Sequence, residues 1–285
     1  MADVCEVSAL PASQKQWEHV SSLSIVGQVS RFVYRFYFNH EYPILASSGV
    51  VALLLLWHSV TSTGIVDRLI LVPPWEVVVA AYALFASGEI WPHINMSVLE
   101  FGLGFSLAVG FGVFLGLLMG WYRRVGFSLD FIVSGLTATP RIVLVPVLIL
   151  WLGVLGPLHT AGAVFISAFI PVVVSTLAGV RSVDESLIRM SRSFVASDWD
   201  IFRTVVIRSS LPSIIAGVRL AIGAGLLGII VGDLFASQAG LGYLLLYYTS
   251  IFQPSNMLAV AMILVLTGVV LTEAARRVEK RYRYK

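Results

Sequence analysis

Few ionisable side chains stand in apolar surroundings in this 285-residue chain, and each of them narrows the chemistry on offer. Arg141 lies between Pro140 and Pro146 in the run LTATPRIVLVPVLIL. Charged groups at membrane depth are costly and turn to a partner, a protein interior or a water-filled path. Conducting an anion is one use for Arg141, with Pro140, Pro146 and Asp233 as further pathway candidates. An ion pair with Asp130, Glu100 or Asp233, or a long side chain reaching back to the interface, are the alternatives. Asp130 and Asp233 are the carboxylates an intramembrane hydrolase would pair, yet they fall towards opposite membrane faces, too far apart to share a proton. Histidines 40, 58, 93 and 159 are scattered, with no H-E-x-x-H, and no second histidine follows His40-Glu41 at the required turn, so neither a metal site nor a catalytic residue is expected. The one cysteine, Cys5, excludes an internal disulfide framework and a thiolate cluster. None of the three lysines follows a G-x-x-x-x-G phosphate cradle, so no cofactor is expected in this chain, and ATP would have to act on a partner.

The elements that position these residues follow from composition. Hydrophobic residues make up 58% of the chain and charged ones 12%, against roughly a quarter charged in soluble domains. Runs of about 20 apolar residues are what a helix needs to cross hydrocarbon. Six qualify: 44–62, 94–120, 128–152, 157–180, 213–235 and 255–273. The run 69–86 carries Pro73, Pro74 and Glu76 and is expected to be an interfacial or partly buried segment. The polar lead of over forty residues shows no cleavable signal.

Basic residues set the orientation, because short cytoplasmic loops accumulate them. With six spans and both termini inside, 16 of the 19 fall on the cytoplasmic side, including Arg123, Arg124, five between Arg181 and Arg208, and six in the tail 276–285. Only Arg68 is outside, and Arg141 and Arg219 fall within spans, Arg219 as an interface anchor. A seventh span would split that count. The expected fold is an all-α integral membrane protein of six transmembrane helices: a cytoplasmic segment 1–43, a membrane domain 44–275 and the basic tail. Within the lead, Ile25, Val26, Val29, Phe32, Val33 and Phe36 recur at helical spacing, which suits a helix over 25–38 lying in the membrane surface or packed on a soluble partner.

Between the fourth and fifth spans lies a charged island, 181–212, with nine acidic or basic residues. Leu187, Ile188, Phe194 and Val195 share one side of a first short helix, with Glu185 and Arg189 facing elsewhere. Ala196-Ser197 breaks it. Ser197, three residues before Asp200, starts a second helix in a variant of the capping box; Asp198, Trp199 and Phe202 follow, until Pro212 opens the next span. The hairpin leaves apolar residues for a partner or for its own bundle. Gly112, Gly116 and Gly120 repeat every four positions, a stripe for close helix packing within or between subunits. The Gly-rich ASQAGLGY (236–243) after Asp233 is either a simple re-entry turn or part of an entry mouth.

The island resembles the coupling loop of permease subunits in type I ABC importers, the binding-protein-dependent transport family. Its E-A-A, three residues, glycine, then L-P pattern keeps its spacing: Arg189-Met190-Ser191 fills the first place, Val195 the glycine place, and Leu211-Pro212 closes it. The E-A-A letters are lost, and Val195 replaces a residue whose role is to permit a tight turn. LVPPWEV (71–77), SGEIWPHINMSVLEFGLGF (87–105), TPRIVLVPVLILWLGVLG (139–156), AGVRSVDE (178–185) and VGDLFASQAGLGYLL (231–245) are similar to the nitrate/sulfonate/taurine/bicarbonate branch. The resemblance implies a multi-pass inner-membrane subunit that forms a homodimer. It implies cytoplasmic ATPase partners holding ATP and Mg, and an extracytoplasmic solute-binding protein. It also implies alternating access for a small anion, with a neutral heteroaromatic vitamin precursor as an alternative solute. A non-transporting membrane scaffold is the reading outside that family.

Overall fold

The protein was analysed as a computed structural model, which describes residues 41–64, 66–153 and 156–283. Every regular element among them is helical. The proposed surface helix 25–38 and residues 284–285 of the basic tail lie outside the described residues.

Contacts divide the chain into two units, one up to Val66 and one from Asp67. In the first, α1 (Glu41–Ser62) carries the apolar run expected as the first span, but its apolar stretch Ser47–Ser62 is shorter than those long enough to cross, so the six expected spans are not all met. The second begins with α2 (Pro74–Ser87). Pro73 is extended and Pro74 takes a first-turn position, where a missing N–H costs nothing. The prolines of 69–86 therefore start a helix. At 14 residues α2 is about 21 Å long, too short to cross. It buries Val77, Ala80, Ala81 and Leu84 and exposes Trp75, Val78, Val79 and Tyr82, the partly buried segment the sequence implies.

Among the described residues four helices are long and apolar enough to span a membrane: α3 (Ile90–Trp121), α6 (Leu158–Arg181), a rod from Asp198 to Phe235, and Pro254–Lys280, which is most of α11 (Pro254–Arg283). The run expected as one span at 128–152 is instead divided between α4 (Arg123–Ala138) and a segment containing a 3-10 turn (Arg141–Leu144) and α5 (Val145–Leu152), bent by 101°. Pro140 is the cause. It has no N–H to continue the helix, and it forces Thr139 to an extended ψ of 127°. Counted as one broken span the bent pair makes a fifth crossing, and as a re-entrant loop it leaves four.

The rod also departs from expectation. The second island helix, α8 (Asp198–Ile201), runs through a π segment (Phe202–Val206) directly into α9 (Ile207–Ala236). Pro212 lies inside α9 and does not open it. Neighbouring helices and side-chain hydroxyls make such prolines tolerable in membrane helices.

Helix α6 is the hub, with Val164, Ala168, Val172 and Val173 fully buried. Its two flanks meet glycines. A Cβ on Gly112, Gly116 or Gly120 of α3 would stand 2.8, 2.6 and 2.5 Å from Val172, Thr176 and Val180. On the other flank, Gly217, Gly228 and Gly232 of α9 lie against Ser175, Val164 and Thr160. The stripe of the second span therefore packs within one chain. α10 (Leu241–Ser250) and α11 complete the unit.

Candidate functional site

Two regions hold the polar chemistry, at opposite ends of α6. At the Arg181 end, Asp184 caps α7 (Glu185–Ser193): the Ser186 N–H donates to its carboxylate at 2.7 Å. That bond holds the Asp184 carboxyl below the usual carboxylate range. Arg189 pairs with Glu185 at 2.9 Å along the helix and Arg192 with Asp198 at 3.6 Å across the hairpin.

The turn is a Schellman motif. The Val195 N–H donates to the Arg192 carbonyl at 2.9 Å and the Ala196 N–H to the Ser191 carbonyl at 3.2 Å. Val195 sits at the left-handed position with φ 59°, where glycine is usual. The chain thus turns there as a glycine would allow, with a β-branched residue bearing the strain. This geometry ends α7 at Ser193, so Phe194 and Val195 belong to the turn and not to the helix face shared by Leu187 and Ile188. Ser197 accepts the Asp200 N–H at 3.2 Å, the cap read from the sequence.

Phe202 anchors the hairpin, its ring 5.5 Å from that of Trp121 at the end of α3 and 5.8 Å from that of Trp199. Ile201 and Val206 are buried behind it. What remains outward is apolar: Leu187, Met190, Phe194 (77% exposed), Val195 (91%) and Trp199 (65%). Ile188 and Ala196 are half-buried. An ordered, doubly capped hairpin that exposes large apolar side chains has the character of an interaction surface.

At the other end, Asp233 of α9 ties α6, Ser237 and α10 together. Its Oδ1 accepts the Thr160 hydroxyl of α6 at 3.0 Å and the Ser237 hydroxyl at 2.8 Å. Its Oδ2 accepts the Gly242 N–H of α10 at 3.1 Å. Gly240, φ 123°, donates its N–H to His93 Nδ1 at 3.2 Å, and Leu241 donates to Ser97 Oγ at 2.8 Å. His159 Nε2 lies 3.2 Å from Ser237 Oγ. Gly240 and Gly242 both press on Asp233, leaving no room for a side chain. The segment 236–243 is therefore clamped by α3, α6 and α9. Beside it a pocket of about 330 Å³ is lined by Met96, Gly156, Ser237, Gln238 and Ala239.

Arg141 is not deep in a straight helix; it opens the 3-10 turn at the α4–α5 break and is half-buried. Among the described residues it makes no ion pair. Asp130 pairs with Arg181 at 3.9 Å, and Asp233 with hydroxyls and an amide, so neither serves Arg141. Pro146 sits in the first turn of α5. Pro140, Arg141 and Pro146 thus share one break, and Asp233 belongs to the separate clamp. Arg219, taken as an interface anchor, pairs with Glu279 of α11 at 3.1 Å. Two of the scattered histidines, His93 and His159, meet at the clamp. Among the described residues no three His, Cys, Asp or Glu side chains gather to hold a metal ion. Glu100 of α3, fully buried, was not singled out from sequence as a site in its own right. A carboxylate in the middle of an apolar span was the signal.

These features define a polytopic helical membrane protein with a structured hairpin of exposed apolar side chains at one end. Residues 108–284 match the family described as "Binding-protein-dependent transport system inner membrane component", and the chain belongs to it. It is 28% identical over 229 residues to the aliphatic sulfonates transport permease protein SsuC of Bacillus subtilis (strain 168), covering 80% of this chain and 83% of that one. It is 30% identical over 207 residues to the taurine transport system permease protein TauC of Escherichia coli (strain K12), covering 70% and 75%. In fold it is similar to a chain of the MetNI methionine ABC transporter in an inward-facing conformation, with a TM-score of 0.57 at 18% identity over 68% of this chain and 94% of that one. The chain is a permease subunit of an ABC importer, with sulfonate- and taurine-type relatives, and is not an enzyme.

Proposed function

We propose that this subunit carries a small organic anion of the sulfonate class across the inner membrane by alternating access. Cytoplasmic ATPase subunits that hold ATP and Mg would drive it through the hairpin 181–212. One observation carries this reading: exposed Trp199 and buried Asp233 lie on a single helical rod. At 1.5 Å per residue the 34 residues between them span about 50 Å. A displacement imposed on the hairpin is transmitted to the clamp on segment 236–243, with the π segment as the place where the rod can yield.

In this account the hairpin end is cytoplasmic and both termini lie on that side, in keeping with the basic residues at 123–124, 181–208 and 276–280. Segment 236–243 and its adjoining pocket face the extracytoplasmic binding protein that delivers the solute. Two copies of the chain frame the path, and Arg141, at the helix break, is the candidate that attracts the anion. The names of the relatives favour a sulfonate over a neutral heteroaromatic solute. A hydrolase is disfavoured because Asp130 and Asp233 contact opposite ends of α6, through Arg181 and Thr160, about 30 Å apart along the helix. The test is co-isolation in mild detergent. The wild-type chain should bring down an ATP-binding subunit and Trp199→Asp should not, while a wild-type chain that isolates alone from a transporting membrane would end the proposal.

A further inference from the structure

Glu100 is the least explained side chain of the fold. It is 0% exposed, and neither carboxylate oxygen has a hydrogen-bond partner among the described residues. Its position follows from its neighbours on α3. One turn before it, Ser97 receives the Leu241 N–H; one turn after it, Gly104 presses on Ala161 and Val164 of α6. Glu100 therefore lies between the contacts of α3 with Leu241 and with Ala161, the chain neighbours of Gly242 and Thr160, which both bond to Asp233. Asp233 is itself only 2% exposed.

Two buried carboxylates thus lie in one crevice between α3, α6 and α9. The titratable groups around them are His93 on α3, His159 on α6, and Tyr243 and Tyr248 on α10, with Glu89 bonded to Tyr248. Among the described residues no arginine or lysine pairs with either carboxylate. The hydroxyl of Thr160 and the amide of Gly242 are already donated to Asp233. An unpaired buried charge neutralises itself or finds a counter-ion, and the second of two neighbouring carboxylates ionises less readily than the first.

We propose that Glu100 and Asp233 bind one proton between them, making a proton-binding site in the crevice of α3, α6 and α9 that fastens the clamp on segment 236–243. The bound proton supplies the donor Glu100 lacks and removes one of the two charges. Its loss to water leaves two carboxylates repelling each other across the residue that holds the Gly242 amide, which loosens α10 from α9. The proton is exchanged with solvent only, and no bond to carbon changes. Because it concerns the clamp alone, the inference stands whatever the solute.

Infrared spectroscopy of the full chain in lipid, assembled with its partners, tests this. The expected result is a protonated-carboxyl carbonyl band that shifts in deuterium oxide, disappears in Glu100→Gln and persists in Asp130→Asn. Glutamate labelled with carbon-13 at the side-chain carboxyl reports the same proton in unaltered protein, so a variant that misfolds leaves the test intact. Absence of that band and of a protonated labelled glutamate near neutral pH overturns the proposal. So does a glutamate signal that responds to added sodium chloride at fixed pH but not to pH, since the occupant would then be a metal cation.

Discussion

Thr176 fills the space beside Gly116: a Cβ on that glycine would stand 2.6 Å from Thr176 Cβ and 2.9 Å from the Val173 carbonyl oxygen. Backbone sits against side chain at this point, and α3 and α6 have no slack. The same contact recurs a turn away at Gly112 and Gly120, so the pair is held by shape over these turns.

Gly116→Val is therefore expected to destabilise the chain by about 1–3 kcal/mol, the range for overfilling a tight core. Gly110→Ala, where nothing lies within 4 Å, should be neutral. Thermal unfolding of the purified subunit in detergent compares the two directly.

Val195→Gly should make the hairpin more stable. A left-handed backbone costs an L-residue about 1–2 kcal/mol, and glycine returns about 0.5–1 kcal/mol of that as lost chain entropy. The net gain, on the order of 0.5–1 kcal/mol, should appear as slower amide exchange at Ala196 and through α7, with no change in the rod.

The cap of α7 should respond to acid. The folded Asp184 carboxyl lies below its ordinary range because the Ser186 N–H donates to it. Its contribution is therefore complete above the ordinary carboxylate range and lost as pH falls through the lowered folded value. Exchange at Ser186 and Leu187 should accelerate on acidification, and Asp184→Asn should remove most of that dependence.

Arg219 and Glu279 form a half-buried pair, with side chains 34% and 17% exposed. Removing one partner strands the other, so Arg219→Leu or Glu279→Leu should each cost about 1–3 kcal/mol, below the range for fully buried pairs. The double substitution should recover much of the loss, and a thermodynamic cycle on the four proteins measures it.

The parts of this structure that sequence made legible are those decided locally. Ser197 three residues before Asp200 needs no distant partner to become a cap, and a glycine every fourth residue marks a packing face wherever the other helix comes from. Pro140 lies in the third apolar run, where one span was expected, and nothing local to it encodes a 101° bend. Pro212 misled because the first-turn preference of proline describes helices that begin there. Membrane helices also tolerate proline inside, and α9 continues back through the π segment into the hairpin. Glu100 and Asp233 are 133 residues apart in sequence, and apolar neighbours do not say which buried charge meets which. Likewise Arg219 could not be joined to Glu279 before α9 and α11 were seen side by side.

The central claim, that the hairpin is the cytoplasmic contact for an ATP-hydrolysing partner, is tested most directly by a single cysteine at its most exposed point. In a chain carrying Cys5→Ser and Val195→Cys, position 195 should react with a membrane-impermeant thiol reagent only in inside-out vesicles, and should crosslink to an ATP-binding subunit. Labelling from the opposite face, or crosslinks confined to the permease itself in a membrane that transports, would contradict it.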